Sequence, residues 1–226
     1  MDLSGYNKAE VDAIGDAINS SYSALASQIS EKIQEQLVSP MSTRWYAPEA
    51  QTKFTEIQTA VAALGPSMKE AYKYYRDWIQ KVGENWAENT GGLAPALPDV
   101  SDCEVTIDVS IIKEATENGS VVLDEYGATA IANNMAALHK ELLGMVQSEH
   151  SKLNASSAFF GHGQAEAANK CFVRVADAIG ELFKILEELG NVIREYADKY
   201  KKIAENIASE LNSVNISVSS SGSGGR

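Results

Sequence analysis

Side chains able to do chemistry are few in these 226 residues, and they are scattered. His162 stands nine residues before Cys171, the one arrangement from which a Cys–His nucleophile could be assembled. A histidine in a surface turn needs no such role, and that reading is the stronger. His139, His150 and His162 share no metal-ligand spacing. The chain contains no glycine-rich phosphate loop, no H-E-x-x-H, no C-x-x-C and no nucleophile elbow. Glu35, Glu187 and Glu188 fall on the polar faces of expected helices, where solvation explains them better than acid–base work. Cys103 and Cys171 read as unpaired thiols rather than a disulfide. The residues therefore point to no catalytic centre, no metal and no cofactor.

What remains is the framework. A formal charge of -12 and a pI near 4.7 argue against nucleic acid and anionic membranes as partners, since an acidic surface repels their phosphates. No stretch approaches the roughly 20 apolar residues of a membrane span. The first fifteen residues have neither a basic start nor an apolar run, so no ordinary secretory leader is expected. The expected setting is the cytosol, or the cell exterior by a leaderless route after a cytoplasmic stage.

Helical periodicity dominates. Val11, Ile14, Ile18, Tyr22, Leu25, Ile29, Ile33 and Leu37 recur at spacings of three and four, one buried stripe on a long helix. Pro40 is expected to stop that helix. The corner SPMSTRWYAPEAQTKF follows, with Trp45 and Ala47 at the bend and Pro48–Glu49 opening the next helix. A second seam, Phe54, Ile57, Val61, Leu64, Met68, Ala71, Tyr75, Trp78 and Val82, alternates gaps of three and four. Pro66 interrupts it, and a kink at Gly65–Pro66 within one helix is expected because the phase survives. Tyr74 lies off the seam and marks a possible contact patch.

Gly91, Gly92, Pro95 and Pro98 form a linker. Beyond it Val105, Ile107, Val109 and Ile111 alternate with polar residues, the pattern of a short strand; Val214, Ile216 and Val218 repeat that pattern. The two are expected to pair. A third helix starts near Asp124 and carries Ile131, Met135, Leu138 and Leu142. A second corner, Phe159–Gly163, leads into a fourth helix whose seam runs from Phe172 to Ile207. Shifting this half back by 118 positions lays Phe172 on Phe54, Ile179 on Val61 and Leu186 on Met68. The expected fold is all-α: an elongated antiparallel four-helix bundle of two helical hairpins, with a small two-stranded β element from the linker and C-terminus. The expected divisions are 1–92, 93–122, 123–213 and 214–226, the last ending in flexible-linker composition.

Two hairpins with an aromatic corner resemble the WXG family, the ESAT-type helical hairpins exported by type VII secretion systems. Trp45-Tyr46-Ala47 stands where W-x-G would stand, and Phe159-Phe160-Gly161 occupies the second corner. The resemblance implies a family dimer fused into one chain. It also implies a non-enzymatic secretion substrate, targeting module or helical chaperone, whose partner is the secretion ATPase or a co-secreted effector. Trp45, Ala47, Phe54, Phe159, Gly161 and Phe172 become the turn and interaction residues, and the fused halves are expected to make a monomer. The family's Y-x-x-x-D/E export signal has a spacing match only at Tyr6–Glu10, away from the second helix. A pore-forming toxin whose β-tongue is the Val105–Ile111 strand, and a cytosolic scaffold, are the alternatives. If the hairpins pack antiparallel, the linker from Gly91 to Leu123 must cover roughly 50–70 Å, within reach at about 3.3 Å per residue.

Overall fold

The computed structural model describes residues 4–148 and 150–213. Helix α1, Lys8–Ile33, starts at Asn7, whose side-chain oxygen accepts from the amides of Ala9 and Glu10, two of the donors a helix N-terminus leaves open. Every residue of its expected stripe, from Val11 to Leu37, is buried. The helix does not stop at Pro40. A π-helical turn, Gln34–Val38, and the short α2, Ser39–Met41, prolong the rod. The Ser39 amide bonds the Gln34 carbonyl five residues back. That wider turn shifts the hydrogen-bond register just ahead of Pro40, which then sits in the opening turn of α2 where its missing donor goes unneeded.

After the Trp45 corner, α3 runs Pro48–Ala62 and α4 runs Leu64–Thr90. The expected kink is a one-residue break at Ala63. Pro66 cannot donate to the carbonyl of Ala62, so the ladder lapses there. The apolar phase nevertheless passes through it, with Val61, Leu64 and Met68 all buried. Gly91 closes α4 in the left-handed region at φ 71°. In the second half α5, Glu125–Ser148, follows Asp124, which accepts the Gly127 amide. Then come α6, His150–Leu153, α7, Gln164–Leu182, and α8, Lys184–Ser213. The four rods share one apolar core, and no described helix is long and apolar enough to cross a membrane.

Two short antiparallel ladders fix how the rods meet. Strand β1, Gly5–Tyr6, pairs with β4, Phe159–Phe160, and β2, Trp45–Tyr46, pairs with β3, Val122–Leu123. Each hairpin's corner is thus closed by the residues that lead into the other hairpin. The cap residues join in: the Asn7 amide donates to the Ala158 carbonyl at 2.7 Å, and the Asp124 amide to the Arg44 carbonyl at 2.8 Å. The corners lie at opposite ends of α1 and its extension, about 50 Å apart at ~1.5 Å per residue.

Burial follows matching registers in the two halves. Positions 117 apart correspond in α1 and α5 (Ile18 with Met135, Leu25 with Leu142), and positions 118 apart correspond from Phe54 and Phe172 onward. The second corner's four extra residues are absorbed by the Gly161–Gly163 turn and the start of α7.

The segment from Val105 to Val109 forms no ladder, Ser110–Ile111 make a turn in which the Ile112 amide bonds the Val109 carbonyl, and the expected partner, Val214–Val218, lies outside the described residues. Val105, Ile107 and Ile112 are buried between α1 and the α3–α4 rod. The alternation records one face turned into a groove, and helix side chains take the backbone bonds that a second strand would have taken. Residues 93–112 form a strap, not a β-tongue. The fourth seam also departs from expectation at its end. Ile203 is 45%, Ile207 51% and Leu211 68% exposed, because α8 outruns the bundle.

Candidate functional site: the two aromatic corners

The first corner is assembled from three rods. Trp45 is held by its ladder to Leu123, packs edge-on against Phe54 (centroids 6.4 Å apart) and lies 4.7 Å from the Tyr196 ring of α8. Trp45, Ala47 and Phe54 are wholly buried. Ala47 suits its place because the chain there is extended, φ -164°, so the position needs a small side chain rather than glycine's freedom. An indole buries roughly 150–250 Å², worth about 4–6 kcal/mol at ~25 cal/mol/Å² before the entropy of ordering it. Trp45 Nε1 is buried and makes no hydrogen bond among the described residues. The Tyr200 phenol lies toward it and toward Glu49, and burial is the main cause that raises the Tyr200 pKa. On the outside, Lys199 reaches Glu49 at 3.4 Å and covers the Tyr196 ring at 5.2 Å.

The second corner repeats the plan with a smaller ring at the bend. Phe159 is buried between Tyr6, 6.2 Å away and stacked, and Trp78, 6.0 Å away and edge-on. Trp78 occupies the place in this corner that Tyr196 holds in the first. Gly161 is half-buried and has φ 86°, a turn conformation that favours glycine. Phe172 is buried about two turns into α7 and meets the Tyr75 ring edge-on at 5.5 Å. Tyr75 donates to the Leu153 carbonyl and accepts the Ala155 amide, tying α4 to the segment before the corner. Its pKa is raised, above all by burial.

Five of the six residues singled out in the sequence therefore build the corners from within and present almost no surface, and Gly161 is half-buried in the second turn. They form two clusters, one at each end. What faces solvent is the flank of each corner. Beside the second corner an open cavity of about 470 Å³ is lined by Tyr6, Trp86, Leu93 and Phe160, with Leu93 77% exposed. Beyond the first, α8 carries Ile203, Ile207 and Leu211 into solvent. Tyr74 is also exposed. The spacing of the α8 stripe was visible in the sequence; its projection depends on where α5 begins.

The remaining chemical candidates stay apart. Cys103 and Cys171 are free thiols; Cys171 is buried and its pKa is raised by burial, the wrong direction for a thiolate nucleophile. His162 lies in the turn at φ 47°. His139 Nδ1 sits 2.9 Å from Glu187 across α5 and α8, an inter-helix contact. Among the described residues no group of three or more His, Cys, Asp or Glu is placed to hold a metal ion. No protein-family model, curated protein or solved structure matches the chain.

Proposed function

We propose that this chain is a non-enzymatic protein of WXG type, carrying both members of a hairpin pair on one polypeptide and serving type VII secretion as substrate, targeting module or chaperone. The observation that supports the reading best is the reciprocal closure of the corners, in which an aromatic bend in each hairpin is locked by the other hairpin's leading residues. Two separate hairpins meeting this way would make a symmetric pair, and fusion fixes the pairing at one-to-one. The exposed end of α8 then offers an amphipathic helix to the secretion ATPase or to a co-exported effector, a helix-in-groove mode of recognition. Such a protein works as a monomer at micromolar concentration.

The test is export. A tagged chain is expressed in a host carrying a type VII system, with and without its membrane ATPase, and medium and cell fractions are compared. The reading expects the chain in the medium only when the ATPase is present. It also expects Ile203→Asp with Ile207→Asp to retain the folded chain in the cell. Retention in both hosts, or equal release from both, would overturn the assignment.

A further inference from the structure

The strap is gripped through its backbone. Asn19 donates to the Asp99 carbonyl and accepts the Ser101 amide, both at 2.9 Å. Gln80 does the same with Pro95 and Leu97, at 2.8 and 3.0 Å. Gln34 takes both backbone groups of Asp108, at 3.3 and 2.8 Å. Between these clamps Ser30 accepts the Thr106 amide and Gln58 donates to the Ile107 carbonyl. Helix amides that bond main-chain groups in pairs hold an extended chain whatever side chains it points outward.

The groove is also cut to admit the strap, its backbone at Gly65 and the Leu97 side chain at Gly15. A Cβ on Gly65 would lie 2.5 Å from the Cys103 carbonyl oxygen, and one on Gly15 2.6 Å from Leu97. Such a groove selects for apolar residues at alternate positions facing inward and is indifferent to those between. The strap meets that rule with V-T-I-D-V-S, Val105 to Ser110. The same chain carries V-N-I-S-V-S from Val214 to Ser219. The two stretches agree at each inward position and differ only at the two positions between them, where the groove bonds main chain alone.

We propose that the groove between α1 and the α3–α4 rod is a receptor for extended peptide, and that the Val214–Ser219 segment of a second copy of this chain is its alternative occupant. The molecule's own segment does not fit the distances. Ser213 ends α8 some 20 Å past Tyr200, and Gln58 lies about 15 Å to the other side of the corner, at ~1.5 Å of rise per residue. Five extended residues span only about 17 Å. A second copy has no such restriction, and because the donated segment and the groove are different surfaces, the link propagates head to tail rather than closing a dimer. The resident strap, tethered at both ends, competes at an effective concentration on the order of millimolar, so dilute chains stay single. The inference stands independently of the secretion reading.

The test uses a fluorescein-labelled peptide of residues 213–220, titrated by anisotropy into the full chain and into its Ile107→Asp variant, which loosens the strap and leaves the groove walls intact. The expected result is saturable binding at least tenfold tighter to Ile107→Asp than to the unaltered chain, and lost when the peptide carries Ile216→Asp. No saturable binding to folded Ile107→Asp at 1 mM peptide, on the order of the strap's own effective concentration, would overturn the proposal, as would equal binding of both peptides. Should Ile107→Asp not fold, the unaltered chain reports through its thiols. Peptide at that concentration should speed modification of Cys103, on the strap, several-fold and leave Cys171, in the core, unchanged; an unchanged Cys103 rate would be equally decisive against it.

Discussion

The two hairpins solve the same packing problem differently. In the second, α5 lies directly along α8: a Cβ on Gly190 would come within 2.7 Å of the Ala132 carbonyl, so backbone nearly touches backbone. In the first, α1 and the α3–α4 rod touch less extensively, through the Tyr22 and Tyr72 rings 5.4 Å apart and the Tyr22 hydroxyl donating to the Gly65 carbonyl at 2.8 Å, and glycines on both rods face the strap laid in the groove between them. Hairpin two closes its seam with helix on helix alone, whereas hairpin one fills part of its seam with a removable segment. The corners differ in parallel, with a full indole in the first and a phenyl ring in the second. Equal overall geometry thus conceals unequal rigidity, and the inequality is measurable.

The corners give the largest effects. Trp45→Ala is expected to lose about 3–5 kcal/mol in denaturant unfolding, and Phe159→Ala the lower part of that range. Trp45→Phe places the second corner's ring in the first. It should cost no more than about 1.5 kcal/mol, because the smaller ring removes a buried N–H that faces the Tyr200 phenol without meeting it at hydrogen-bond geometry. A Trp45→Phe loss as large as that of Trp45→Ala would show that the indole N–H is bonded to the Tyr200 phenol.

The glycine contacts sharpen the contrast between hairpins. Gly190→Val must push two helices apart and should cost about 3 kcal/mol, the upper end of overpacking penalties. Gly65→Val need only displace the strap and should cost about 1 kcal/mol, with amide hydrogen exchange rising across 93–112 alone. Equal penalties would erase the distinction drawn here.

The smallest effect is a pH dependence. Tyr75 and Tyr22 both have raised pKa values, with burial the leading cause. Below about pH 10 the phenols are neutral in folded and unfolded chains alike, and stability is intact. As pH climbs further the unfolded chain ionises first, so stability falls until the folded pKa is passed. Tyr75→Phe should flatten this alkaline limb in thermal melts between pH 9 and 11, while lowering stability at neutral pH by about 1–3 kcal/mol, since the Leu153 carbonyl and Ala155 amide lose their partner.

The rods were legible in the sequence because burial on a helix writes itself at spacings of three and four, and the stripe from Val11 to Leu37 is buried as written. Proline was legible as a disturbance but not as to its outcome. Whether Pro40 stops a helix or follows a π turn depends on what the turns before it can bond, and Gln34 is held from the strap. The strap's alternation was read as a strand because an extended segment buried on one face looks the same whether strands or helices flank it. The ladders were not legible at all. Two-residue strands carry no periodicity, and their partners lie more than 70 residues away in sequence. The glycines inside α1 and α4 were the available clue to the strap, since glycine in a helix interior costs about 1 kcal/mol unless something must come close.

The reciprocal closure of the corners is tested most directly by cross-linking. In a Cys103→Ser, Cys171→Ala background, Tyr46→Cys with Val122→Cys joins register partners at one end, and Gly5→Cys with Phe160→Cys joins them at the other. Facing residues of an antiparallel pair lie within disulfide range. The account predicts that each pair, made alone, oxidises within a single chain, giving a monomer of raised mobility on non-reducing gels. Free thiols at either end, or disulfides found only between chains, would contradict it.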